Sequence, residues 1–473
     1  ALHTARRKNS PSYGLIGSRR VPRVMAGYSG GMGGPNHLND RVPTVAGRPA
    51  LPRVVVLGAG FAGMNAAHAL RGTDAAVIVL DKNNYHTFQP LLYQVSTGYL
   101  AAEEVGAALR TIFRRQPGVT VRMGTAVSVH WADRTLYLRD GSAVEFDYLI
   151  LAAGAETNFF GISGMAEHSW PLYTLDDAVR LRMHLLNRLE ETAAGADHAG
   201  EPITAVVVGG GPTGVETAGA LASMGQELVG PDTALRVILV EALPRLLAAF
   251  SPRSSKRALE DLRRRGVEVR LGETVDSADA GGVTLADGHR IDTDTVIWAA
   301  GVQANPLGAA FGLEINRRGR ILVDPQLQVP GHPNVFGAGD LAVTTPAHSA
   351  APPMLASAAI QTGRHAGEQV ARLIAGQPLM PFRYHDKGIM AVLGRGDAVA
   401  ELPLRRPAGG TSRYPLRFGG LLAWLLWLGV HIVYLIGFRN RLKVLLDWGW
   451  SYFTSRGAGA ILVHPPDRRQ RTS

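Results

Sequence analysis

The 473-residue sequence contains no cysteine. That excludes a disulfide framework, thiolate-ligated zinc or iron–sulfur centres, and any redox-active dithiol. Lysine is scarce, five of 49 basic residues, so the net charge of +10 rests mostly on arginine. Acidic residues are scarce only at the two ends. Residues 1–53 hold nine Lys/Arg against one acid and residues 401–473 hold eleven against three, leaving 29 basic and 35 acidic residues between. A nucleic-acid enzyme would carry its basic stripe on the folded body. This body is net acidic, so nucleic acid is not an expected partner. The C-terminal basic residues are interleaved with Trp, Tyr and Leu, which fits an anionic membrane surface. The fifteen histidines show no ligand spacing, and no metal site is expected. Residues 1–50 are rich in Arg, Ser, Gly and Pro without a hydrophobic period, and read as a disordered or targeting-like tail.

Glycine, by contrast, is plentiful at 56 residues, and its placement carries information. The β-branched run 53–57 leads into Gly58-Ala-Gly60-Phe61-Ala62-Gly63, then a small-residue helix, then a second strand ending at Asp81. Gly58 allows the tight turn, Gly60 lets backbone approach a pyrophosphate, and Gly63 permits close helix–strand packing. Asp81 stands where an adenosine ribose hydroxyl would be bound. The unit recurs at 203–241: strand, Gly209-Gly-Gly211-Pro212-Thr213-Gly214, helix, and a second strand ending at Glu241. An acid there favours the free 2′-hydroxyl of NADH over the 2′-phosphate of NADPH. Arg245 is close enough in sequence to reach a phosphate, but a solvated arginine is the simpler reading. Two complete fingerprints most economically hold a flavin, FAD, at the first and a nicotinamide, NADH, at the second.

Further motifs resemble the two-dinucleotide-binding flavoprotein superfamily. The strands 148–154 and 295–301 end in Ala-Ala-Gly, with Gly154, Ala300 and Gly301 at the chain crossovers, and 334–340 ends in Gly339-Asp340 like the superfamily's second FAD motif. Within it the chain resembles the type II, non-proton-pumping NADH:quinone oxidoreductases. The resemblance rests on 88–95 (FQPLLYQV), 209–216 (GGGPTGVE), 352–361 (PPMLASAAIQ) and 384–390 (YHDKGIM). It implies an α/β fold of two Rossmann-like domains, the second inserted into the first, with a C-terminal amphipathic membrane-anchoring helical segment. The implied division is an FAD domain at 53–165 and 325–400, an NADH domain at 166–324 and an anchor at 401–473. Phe61, Ala62, Lys82, Gln89 and Asp340 would then contact flavin, and Glu216 the nicotinamide side. Lys387 would stabilise reduced flavin, and Gln361 would meet the quinone, although Ser357 and Ile360 depart from the commoner wording of that motif. The missing cysteines exclude the disulfide and sulfide:quinone reductases of the superfamily.

Residues 421–438 are eighteen residues with only His431 clearly polar, at the lower edge of membrane-spanning length. In 439–453, Arg439, Lys443, Asp447 and Ser451 form one polar stripe among leucines and aromatics. A monotopic two-helix anchor is the preferred reading, with Trp and Tyr at the headgroup boundary; a single span and a buried or dimer-forming helix pair are the alternatives. The expected activity is two-electron transfer from NADH through FAD to a membrane quinone (menaquinone or ubiquinone), without proton pumping. The expected location is peripheral, on the cytoplasmic face of a bacterial inner membrane, as a homodimer. Glu216 and His385 are candidate proton donors to the quinone. The competing functions are a NADH-binding redox-sensing or partner-binding flavoprotein and a ferredoxin reductase.

Overall fold

The computed structural model describes residues 51–193, 203–228, 235–344, 352–403 and 416–454. The expected tail at 1–50, and the parts of the C-terminal segment at 404–415 and 455–473, lie outside the described residues.

Each fingerprint strand becomes the centre of a parallel sheet. Arg53–Leu57 lies between Ala76–Asp81 and Tyr148–Leu151, with Val119–Met123 beyond the first and His332–Gly337 beyond the second. Val54, Val55 and Val56 are fully buried, as a strand covered on both faces requires. Thr204–Val208 lies likewise between Arg236–Glu241 and Thr295–Trp298, flanked by Glu268–Leu271 and Trp170–Pro171. Three antiparallel strands precede the return strand in each case: Ala126–His130, Thr135–Leu138 and Ala143–Glu145 in the first, Val275–Asp279, Gly282–Leu285 and Arg290–Asp292 in the second.

Strand His332–Gly337 comes after the whole second sheet in sequence yet pairs with Tyr148–Leu151 of the first. The second Rossmann-like unit is therefore inserted into the first, as expected. The two crossing links run side by side, Ala155–Thr157 pairing antiparallel with Val302–Ala304. Ile321–Val323 already pairs with Ala342–Thr344, and the sequence division at 400 runs through a sheet made of Ile389–Gly394, Asp397–Leu402 and Leu416–Gly419.

Helix Ala356–Ile374 packs directly on the fingerprint helix Phe61–Ala69. A Cβ at Gly363 would stand 2.0 Å from the Ala62 carbonyl oxygen, and one at Gly367 2.4 Å from that of Ala66. The helices touch backbone to backbone, and only glycine permits it.

The apolar run 421–438 is not one helix. Helix Leu421–Tyr434 stops where Leu435 turns extended and Gly437 takes φ +88, and a second helix runs Phe438–Thr454. Among the described residues no helix is long and apolar enough to cross a membrane. On the second helix two residues of the polar stripe reach one buried acid: Lys443 pairs with Glu104, itself only 3 % exposed, at 2.5 Å, and Asp447 hydrogen-bonds the same carboxyl. Its leucines Leu442, Leu445 and Leu446 are left outside, with Leu421, Leu422 and Leu425 of the preceding helix, and Phe438 is 81 % exposed. Water alone would favour the opposite arrangement.

Candidate active site

A cleft of about 1240 Å³ opens along the first fingerprint. Gly58, Gly60, Phe61, Ala62, Asp81, Lys82, Gln89, Gly154, Gly339 and Asp340 all line it. Gly63 does not; it packs. Its Cβ would fall 1.7 Å from the Gly58 carbonyl oxygen, while Gly58 has φ +102 and leaves no room against Ala152. Asp81 accepts hydrogen bonds from Ala59 N at 2.6 Å and Asn83 N at 2.7 Å, so it braces the turn as well as facing the cleft. Burial holds its carboxyl above the usual range against those hydrogen bonds.

Asp340 lines the same cleft. Its Oδ1 is buried with no hydrogen-bond partner in the protein, and burial raises its pKa to about 6 despite the nearby Arg320. A buried, unpaired carboxylate oxygen facing a cleft fits a ligand hydroxyl, and the ribitol of FAD would supply one. Arg320, unremarked in the sequence, is buried beneath this loop and donates to the carbonyls of Ala342 and Pro352. No motif marked it. Tyr173 and Thr174 also line the cleft and were missed. A signal existed: Thr174 and Asp177 exchange hydrogen bonds as a helix-capping pair, so the helix Leu175–Ala193 begins at the flavin cleft.

The second fingerprint repeats the geometry. Gly209 has φ +112, and its Cβ would lie 2.6 Å from Ala300 Cα. A Cβ at Gly214 would meet the Gly209 carbonyl at 1.8 Å, while Gly211 faces open space. Pro212 and Thr213 open the helix Pro212–Leu228 at the turn, where its N-terminal amides favour an anion. Glu241 accepts from Gly210 N, and from Leu243 N at 2.7 Å. Arg245 is committed to its own loop, donating to Ala248 O (2.6 Å), Phe250 O (2.8 Å) and Ser255 Oγ (3.2 Å). Its guanidinium is tied to this loop rather than free to recruit a 2′-phosphate. Gly301 packs under the Phe160 ring, 2.4 Å from where its Cβ would be.

One turn along that helix, Glu216 opens onto a second cavity, about 680 Å³, lined by Tyr93, Gln94, Tyr99, Trp424, Trp427 and Trp448 among others. Glu216 accepts a hydrogen bond from Val392 N at 3.1 Å and another from the Trp427 indole. Burial nevertheless raises its pKa to about 8. Trp448 Nε1 donates to Gln94 Oε1 at 2.7 Å, and Gln94 Nε2 donates to the Tyr93 hydroxyl at 2.9 Å. The anchor tryptophans expected at the headgroup boundary therefore face inward at two of these positions, because Trp427 and Trp448 find their N–H acceptors inside.

Lys387 is exposed and lines neither cavity, and neither does Gln361. The Gln361 amide is engaged with neighbouring backbone: Nε2 donates to Ser357 O and His385 O, and Oε1 accepts from His385 N, each at 2.9 Å. It pins the 384–388 segment to the helix. Of the two proton-donor candidates, Glu216 lines the cavity, and His385 is exposed outside it.

Two glycine turns on two Rossmann-like sheets, with an unpaired acid awaiting a ligand hydroxyl, define a flavin- and pyridine-nucleotide-dependent oxidoreductase. Residues 52–363 match the family model of pyridine nucleotide-disulphide oxidoreductases, and residues 386–457 match the NDH2 C-terminal domain. The type II NADH:quinone oxidoreductase NdhA of Mycobacterium tuberculosis is 38 % identical over 435 residues, 87 % of this chain and 89 % of that protein. The type II NADH:quinone oxidoreductase of Staphylococcus aureus (strain NCTC 8325 / PS 47) is 30 % identical over 366 residues, 73 % of this chain and 89 % of that one. NDH2 from Plasmodium falciparum, solved in complex with NADH, shares the fold with a TM-score of 0.76 at 20 % identity, over 87 % of this chain and 99 % of the other. The chain belongs to the type II NADH:quinone oxidoreductases, FAD-dependent, membrane-associated enzymes that oxidise NADH without pumping protons.

Proposed function

We propose that the cavity at Glu216 is where the quinone is reduced, and that Glu216 is the acid serving it. The supporting observation is the position of the cavity, between the nicotinamide-loop helix and the anchor. One wall, Glu216, comes from the helix that opens at the NADH turn; another, Trp424, Trp427 and Trp448, comes from the helices whose leucines face outward. A lipid-borne ring entering from the anchor side meets aromatic walls first and a protonated carboxyl last.

FAD bound in the first cleft would supply the two-electron chemistry that links NADH to the quinone. The protein does the rest by positioning and proton supply. Gly209 and Gly211 admit the NADH pyrophosphate, and Glu241 takes the ribose hydroxyls. Asp81 and Asp340, which both line the first cleft, would hold FAD there. With its pKa at about 8, the Glu216 carboxyl carries a proton at neutral pH and can release it as the quinone becomes quinol. NADH brings two electrons and one hydrogen, so completing the quinol takes a single further proton, which Glu216 gives and regains from solvent. Gln361 acts as a positioning residue for the segment that bears Lys387, and Lys387 lends positive charge only if that segment moves inward. The proposed division is a flavin unit at 53–165 and 325–400, a nicotinamide unit at 166–324 and an anchor from 401, whose sheet borrows strand Ile389–Gly394.

We also propose that the outward leucines bury in an anionic membrane at its cytoplasmic face, supported by Arg417, Arg439 and Arg441 beside them, and that the enzyme is a homodimer, which the family resemblance supports and light scattering would check. The deciding experiment for the cavity is Glu216→Gln. NADH should still bleach the bound flavin under anaerobic conditions, while quinone turnover falls on the order of 100-fold. Unchanged quinone turnover would remove Glu216 from the reaction.

A further inference from the structure

We infer that His86 is a positioning residue for the flavin, holding the pyrophosphate turn in place through the Ala59 carbonyl. The inference rests on the first cleft being the FAD site. His86 is 2 % exposed and lies in the short strand Tyr85–Thr87, whose outer residues Tyr85 and Thr87 both line that cleft. Its Nδ1 stands 2.9 Å from Ala59 O. A carbonyl oxygen only accepts, so Nδ1 carries the ring proton. Nε2 is then left with a lone pair, buried and without a partner. The Phe61 ring, itself a wall of the cleft, lies edge-on to the imidazole at 5.1 Å and fixes its orientation.

The consequence follows from peptide geometry. In a planar trans peptide the Ala59 carbonyl and the Gly60 N–H point in opposite directions. Tethering the oxygen to His86 on the buried side therefore aims the Gly60 N–H at the cleft that Gly60 lines. Asp81 secures the other end of Ala59 by accepting its N–H at 2.6 Å. The residue is thus held at both polar groups.

The second fingerprint supplies an internal control. Its equivalent residue, Gly210, donates N–H to Glu241 and accepts at its carbonyl from Leu247 N at 2.8 Å. Leu247 has φ +49, a left-handed conformation that a leucine rarely adopts. Both turns carry the same pair of tethers. One uses a backbone N–H on a strained residue, and the other a buried histidine. The repetition marks the carbonyl tether as part of the anion cradle rather than incidental core packing.

Three substitutions separate donor from filler. Asn places its amide nitrogen where Nδ1 stands, Gln reaches the position of Nε2, and Leu fills space without a donor. Flavin retention is measured by dialysis and by rebinding FAD to the apoprotein. His86→Asn should hold FAD nearly as the wild type does. His86→Gln and His86→Leu should bind it on the order of tenfold more weakly, the loss of one hydrogen bond to a buried acceptor. ADP-ribose affinity at the second fingerprint should stay unchanged in all three, which reports an intact fold. A Leu variant that retains FAD like the wild type overturns the inference, and so does an Asn variant as weak as Leu. A wild-type protein that binds no FAD would instead overturn the flavin site itself, a separable result.

Discussion

Glu216 shows how one carboxyl acquires a role from its surroundings. The residue stands in the sequence as the end of a nicotinamide-loop motif, where a helix N-terminal acid stabilised by the dipole would look the same. Burial, against the opposing hydrogen bonds of Val392 and Trp427, raises its pKa to about 8, which leaves it protonated at neutral pH as the proposed role requires. Two outcomes follow. Quinone turnover at saturating NADH should decline as pH rises through about 8, and Glu216→Gln should lose that dependence. Stability should move in the same window. A carboxyl whose folded pKa lies above its unfolded value of 4.5 stabilises the fold fully below the unfolded pKa, and that contribution is lost as pH rises through 8. Wild-type melting temperature should therefore fall between pH 5 and 8 more steeply than that of Glu216→Gln, on the order of the pKa difference in the linkage relation. Parallel curves would mean that the carboxyl is ionised throughout.

Among the elements, the helix pair Phe61–Ala69 and Ala356–Ile374 and the anchor helices make opposite use of contact. The first pair meets through glycines, and Gly363→Val would drive methyl groups into the Ala62 carbonyl. A cost of about 3 kcal/mol is expected, with weaker flavin retention, measured by denaturant titration. The anchor helices leave Leu442, Leu445 and Leu446 unburied. Leu445→Glu with Leu446→Glu should lower vesicle affinity by at least about tenfold, since each buried leucine side chain contributes roughly 1.5–3 kcal/mol. Reduction of the flavin by NADH should be untouched. Beneath the same helix, Asp447 shares a site with buried Glu104, and its pKa is raised to about 6, chiefly by burial and then by that neighbour. Asp447→Asn should seat the helix more firmly above pH 6, slowing hydrogen exchange across 438–454.

At the scale of the whole molecule, the two cavities take their walls from distant parts of the chain. The second cavity joins Tyr93 and Gln94 from the flavin half, Glu216 from the nicotinamide half and three tryptophans from the anchor. Trp448→Phe, which removes the indole hydrogen bond to Gln94, should raise the KM for quinone several-fold while leaving the KM for NADH alone. A matching rise in both would mean that Trp448 supports the general fold instead. The family's activity joins an NADH donor, a flavin and a quinone acceptor in one protein.

Much of this was legible without coordinates. The two glycine turns, Asp81, Glu241 and Asp340 are local features: strand, turn and helix follow one another within a few residues, and sterics alone dictate glycine at Gly58 and Gly209. The absence of cysteine settled the chemistry that the protein cannot do. Other features depend on segments far apart in sequence. That Gln361 is hydrogen-bonded to the backbone of His385 is decided by the fold, which brings the two segments together. Trp427 and Trp448 read as headgroup residues until Glu216 and Gln94 supply buried acceptors. The polar stripe of 439–453 is visible as a pattern, but that Lys443 and Asp447 meet Glu104 is not. The eighteen-residue apolar run reads as a possible span until Gly437 divides it. Periodicity reports which residues share a face. Only tertiary packing decides what that face meets, because hydrogen-bond and charge partners are chosen by proximity in space.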